Sequence, residues 1–116
     1  MIKLSLMVIV MAGGVVGEAH LRAALDLTTA ARDKALIGKT LVTTITIYDV
    51  LVLDGYYYIS GTLEDKLIIW VRTKDPKALK LVKGSKLRVR ATIITLYMVK
   101  GDLTVVTETR SLYGKK

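Results

Sequence analysis

Two hydrophobic rhythms divide the chain, and one gives way to the other at Gly38. Between Glu18 and Ile37, Ala19, Leu21, Ala23, Ala24, Leu25, Leu27, Ala30, Ala31 and Leu36 supply helix propensity and an apolar side, leaving Arg22, Asp26 and Asp33 for water. This pattern predicts one helix, weakened in its middle by Thr28-Thr29 and ended by Gly38 as its C-terminal cap. After Gly38 the apolar positions recur every second residue, as they do along half-buried strands. Leu41, Thr43, Ile45 and Ile47 share one face of a first strand, and Thr40, Val42, Thr44, Thr46 and Tyr48 the other. Asp54-Gly55 predicts a turn. In the second strand, Tyr57, Ile59, Gly61 and Leu63 face one way and Tyr56, Tyr58, Ser60 and Thr62 the other. A polar reversal at Glu64-Asp65-Lys66 leads into a third strand, where Leu67, Ile69 and Val71 alternate with Ile68, Trp70 and Arg72.

Asp75-Pro76 then reads as a helix start, an N-cap acceptor followed by proline at the first position. The short helix runs over Lys77 to Lys83, with Leu79 and Val82 as apolar plugs, Lys77, Lys80 and Lys83 as a solvated basic edge, and Gly84 as its end. A long fourth strand starts at Lys86, where Leu87, Val89, Ala91 and Ile93 oppose Lys86, Arg88, Arg90 and Thr92. Its parity slips at Ile93-Ile94, so that Ile94, Leu96 and Met98 become the inward set, which predicts a β-bulge. Lys100-Gly101-Asp102 is a tight turn into a fifth strand, where Leu103, Val105 and Thr107 alternate with Thr104, Val106 and Glu108. The order of three strands, a short helix, a long bent strand and a last strand closes into a small Greek-key barrel with the helix plugging one end. The chain is therefore expected to be mainly β: an N-terminal apolar segment and helix over 1–37, a five-stranded barrel over 38–110, and a basic tail over 111–116.

Gly38-Lys39-Thr40-Leu41-Val42, opening the first strand, and Lys83-Gly84-Ser85-Lys86-Leu87-Arg88-Val89-Arg90, opening the fourth, carry a resemblance to the OB-fold (oligonucleotide/oligosaccharide-binding) superfamily. Gly38 to Arg110 resembles its single-domain single-strand-binding and replication-protein-A-like members. The resemblance implies a ligand face on the second and third strands and the loops at their rims. The outward residues there include Tyr56, Tyr58, Trp70 and Arg72, a platform on which bases could stack at about 1–3 kcal/mol each. Lys66, Lys74, Lys86, Arg88 and Arg90 are the residues expected to follow phosphates nearby. A competing reading has the N-terminal helix cover the aromatic face, which would make it core.

Composition sharpens the choice of partner. Lys plus Arg number 18 against 10 Asp plus Glu, a net charge of +8, which favours anionic partners. The excess lies in the strand-rich part: residues 1–38 hold four bases against three acids, and the remainder holds 14 bases against seven acids. The chain contains no Cys and one His, which excludes disulfides, thiol catalysis, cysteine-held metals and any mechanism that needs two histidines. His20 has no partner at metal-ligand spacing and reads as a surface or interface residue. Asp49 and Asp54 flank a loop and Glu64-Asp65 occupy a turn, so neither pair faces the other across a cleft for acid–base work. No enzyme activity, cofactor or metal is expected.

Met1 to Ala19 leaves location open. Its single Lys3 and the apolar run Leu4 to Met11 fit an export signal, a membrane anchor with a G-x-x-x-G spacing at Gly13 and Gly17, or a buried strand turning into a helix. Leu4 to Gly17 spans only 14 residues, short of the ~20 that a membrane-spanning helix needs. Ala12 to Gly17 brushes the dinucleotide fingerprint, but Ala12 stands at its first glycine and no acidic residue follows at the right distance. Two functions follow. The first is a cytoplasmic module holding single-stranded DNA or RNA. The second is an anchored or exported module that binds a protein partner or forms a homo-oligomer. The second resembles haem chaperones of cytochrome maturation in layout, yet Thr107 to Lys116 carries no haem-linking His or Cys.

Overall fold

The computed structural model of the chain describes residues 14–64 and 67–112, Glu64 in its backbone only. The apolar run Leu4–Met11, Gly13, and the turn residues Asp65 and Lys66 lie outside them. In chain order the elements are β1 (Val15–Val16), α1 (Glu18–Ala24), α2 (Thr29–Leu36), β2 (Thr40–Leu53), β3 (Tyr56–Glu64), β4 (Leu67–Thr73), a 3-10 helix (Pro76–Lys80), β5 (Lys86–Val99) and β6 (Asp102–Glu108). The fold is mainly β, as the alternation predicts, with a six-stranded sheet that closes partly into a ring. The sixth strand, β1, is an addition to the expected five and pairs in parallel with the start of β2.

Closure depends on β2 serving two partners. Its first half, Thr40 to Thr46, pairs antiparallel with β5, and its second half, Thr46 to Leu53, pairs antiparallel with β3. From β3 the pairing passes to β4, then in parallel to β6, then to β5 and back to β2. β2 also runs on to Leu53, so Asp49 lies inside a strand and not in a loop. Two-residue turns at Asp54-Gly55 and Lys100-Gly101, all four residues with positive φ, join β2 to β3 and β5 to β6. Such turns twist with the strands they connect.

Inward residues of all five main strands meet in one core. Leu41, Ile45, Ile59, Leu67, Ile69 and Leu103 are fully buried, and each such side chain stabilises the fold by about 1.5–3 kcal/mol. Leu21 and Ala24 of α1 and Leu36 of α2 join the same cluster. β5 departs from the expected inward set. The bulge occurs where predicted, between Ile93 and Thr95, but Ile94 is the residue it leaves over, and only Leu96 is buried while Ile94 and Met98 are exposed.

The N-terminal helix is two helices. Thr28 ends the first region and starts α2 by accepting the Ala31 N–H on its Oγ1 at 3.2 Å. This cap outcompetes the continuous helix that the Ala- and Leu-rich composition favours. Arg32 is buried at 6% exposure and turns back to donate to the carbonyls of Ala24 at 3.0 Å and Leu27 at 2.8 Å. The guanidinium thereby adds a donor to the last carbonyl of α1, which also accepts the Leu27 N–H, and to the Leu27 carbonyl in the linker that follows. His20 is a cap as well, its Nδ1 accepting the Gly17 N–H at 3.0 Å. Among the described residues no helix is long and apolar enough to cross a membrane.

The segment that starts at Pro76 is a five-residue 3-10 helix, with three residues per turn. That phase buries Ala78 and half-buries Leu81, whereas Leu79 and Val82, expected as plugs, are exposed. Asp75 caps this turn, its Oδ1 accepting the Lys77 N–H at 2.9 Å, while Oδ2 accepts the Leu112 N–H at 2.9 Å. Leu112, within the segment read as a tail, is buried in the core.

Candidate functional site

The outer face of the ring is organised in rows of cross-strand neighbours, because paired residues on adjacent strands point to the same side. One row runs Thr62, Ile68, Thr104, Tyr97 across β3, β4, β6 and β5. The next runs Ser60, Trp70, Val106, Thr95, and the one after it Tyr58, Arg72, Glu108, Thr92. The expected outward direction of Tyr58, Trp70 and Arg72 agrees with this register, although Ser60 in the same set is buried.

Two grooves open on this face. The first, of about 450 Å³, is apolar and aromatic; Tyr48, Ile68, Trp70, Tyr97 and Val99 line it together with Asp49 and Thr104. Trp70 is half-buried there, and Tyr48 and Tyr97 stand well into solvent. Tyr48 reaches the groove through a second bulge: Ile47 pairs with Gly61 and Asp49 with Ser60, so Tyr48 is the residue left over. The helices do not roof this groove; α1 packs on β1 and α2 on β5.

The second groove, of about 860 Å³, is cationic and rich in hydroxyls. Tyr56, Lys74, Arg90 and Arg110 line it together with Thr40 and Thr92. Arg72 borders it but is engaged: its Nη2 lies 3.1 Å from Glu108 Oε1, and its guanidinium sits 4.9 Å from the centre of the Tyr56 ring. Glu108, then Tyr58, through hydrogen bonds, push the Arg72 pKa further up, so this cation stays charged at any ordinary pH. Its Nε is shielded from water and has no hydrogen-bond partner. Lys74 Nζ lies 5.0 Å from the same Tyr56 ring, and Tyr56 meets Tyr58 in a tilted contact at 6.4 Å.

The predicted residues are thus divided. Trp70 belongs to the apolar groove, while Tyr56, Lys74 and Arg90 belong to the cationic one, with Tyr58 and Arg72 in the row between. Lys86 and Arg88 sit apart on the β2–β5 side, opposite Thr46 and Thr44, where Lys86 Nζ donates to Thr46 Oγ1 at 2.8 Å. Sequence reasoning passed over Tyr48, Tyr97 and Arg110 as site residues. The inward assignment of Leu96 already turns Tyr97 outward, and that was the available signal. Arg110 is held at the groove by the hydrogen bond from Thr109 N–H to the Arg72 carbonyl at 3.0 Å, a continuation of the β4–β6 pairing that no alternation announces. Among the described residues there is no group of three or more His, Asp or Glu side chains placed to hold a metal. No protein-family model matches the chain, and no curated protein matches it in sequence.

Proposed function

We propose that the ring is an OB-type barrel and that its outer face binds single-stranded nucleic acid without catalysing a reaction. The strand order β2-β3-β4-β6-β5 with return to β2, the parallel β4–β6 pair and the short helix between β4 and β5 support the barrel reading. On such a barrel the ligand face is that of β3 and β4, flanked by the β2–β3 and β5–β6 turns. The groove of Tyr48, Trp70 and Tyr97 occupies this position on a chain of net charge +8, and that one observation carries the proposal.

The chemistry follows from the lining. Every base has a flat π-face, so three aromatic side chains on a mostly apolar floor favour stacking with little regard to sequence. The cations of the second groove, Lys74, Arg90 and Arg110, attract phosphate and make affinity fall as salt rises. Anisotropy of a labelled oligo-dT tests the reading. Tyr48→Ala and Tyr97→Ala are each expected to weaken binding about tenfold, in line with about 1–3 kcal/mol per base–aromatic stack. Unchanged affinity in both variants would leave the assembly role, with a protein partner, as the better account.

A further inference from the structure

We infer that the cationic groove of Lys74, Arg90 and Arg110 is a dedicated phosphate track, separate from the aromatic groove that holds the bases. Its three cations come from three parts of the chain: the residue that follows β4, the first half of β5, and the segment that follows β6. Nothing in the lining neutralises them. Glu108, the acid of the groove, is already paired with Arg72 at 3.1 Å. Tyr56, its aromatic residue, already carries Arg72 at 4.9 Å and Lys74 at 5.0 Å from its ring centre. Thr40 and Thr92 add hydroxyl donors to the wall. Guanidinium forks, an ammonium and hydroxyls are the donor set for phosphate oxygens.

Arg110 is placed for this task by its neighbours. Thr109 N–H is bonded to the Arg72 carbonyl at 3.0 Å, Leu112 N–H to Asp75 at 2.9 Å, and Leu112 is buried, so Arg110 lies on a segment tied at both ends. Distance along β4 sets the minimum ligand. Trp70 and Lys74 are four residues apart, about 13 Å along an extended chain, so a ligand that reaches both grooves must span several linked units. A phosphate chain is the common chemistry; that it belongs to a nucleic acid rests on the function proposed above.

The test uses the full chain and two probes, oligo-dT and inorganic polyphosphate. For single strands each lost phosphate contact lowers the slope of log affinity against log salt by about 0.7. Arg90→Ala combined with Arg110→Ala is therefore expected to reduce the oligo-dT slope by about 1.4, with Trp70 quenching at saturation unchanged, and to abolish polyphosphate binding. Arg90→Lys with Arg110→Lys keeps the charge and is expected to keep most of the slope. Lys80→Ala with Lys83→Ala removes the same charge from the 3-10 turn region and is expected to change neither probe. An equal loss in that control, or an unchanged slope in the arginine double variant, overturns the track. Oligo-dT binding with an unaltered slope rejects the track and leaves the nucleic-acid reading standing. Polyphosphate bound through Arg90 and Arg110 without any oligo-dT quenching supports the track and rejects the nucleic-acid reading.

Discussion

A methyl group added at Gly61 would sit 2.6 Å from Ile45 Cδ1 and 2.8 Å from the Thr46 carbonyl oxygen. The side chain can swing away, but the carbonyl belongs to β2 at the point where that strand leaves β5 for β3. Gly61→Ala is therefore expected to destabilise the fold by about 1–3 kcal/mol, the usual cost of overpacking, seen as a lower midpoint in urea denaturation. A midpoint within error of the parent would mean that β2 does not bend this closely over β3. The same bulge decides the fate of Tyr48, which alternation places on the outer face among threonines without marking it as a ligand contact. Arg32 shows the converse difficulty: nothing in the helical pattern assigns it a place, yet its stem and fork fit a buried pocket of carbonyls, and only tertiary contact reveals that.

At the scale of elements, period-two alternation identifies β3, β4 and β6 and the opening halves of β2 and β5. It loses β2 after Tyr48 and mis-assigns β5 at Ile94, because an extra residue resets parity and the sequence does not say which residue is extra. Helical spacing likewise misleads at Leu79 and Val82, where the turn has three residues per turn. The candidate site was legible to the same extent: Trp70, Tyr56 and Arg90 lie on regular alternation, whereas Tyr48 lies at a bulge, Tyr97 beyond one, and Arg110 past a strand end. Asp75 links two elements that alternation treats as unrelated. The backbone N–H groups of Lys77 and then Leu112 hold its carboxyl below the ordinary carboxylate range. A depressed folded-state pKa means that this stabilisation is present above the unfolded value of about 3.9 and is lost as pH falls through the folded one. Asp75→Ala should melt lower than the parent at pH 6, and the gap should narrow steadily as pH is taken below about 4. Melting curves that stay parallel across that range would contradict the linkage.

For the whole molecule, the division of labour on the outer face sets the functional claim. Strand pairing places an aromatic groove and a cationic groove on the outer face of a partly closed ring, and no residue of α1 or α2 lines either of them. The chain contains a single Trp, Trp70, so its fluorescence reports on the aromatic groove alone. Titration of the full chain with oligo-dT at 50 mM salt, followed by a jump to 500 mM, is the most direct measurement. Saturable quenching of Trp70 at low salt, and its recovery on the jump, is the expected result. Trp70 emission that stays constant through the low-salt titration would contradict it.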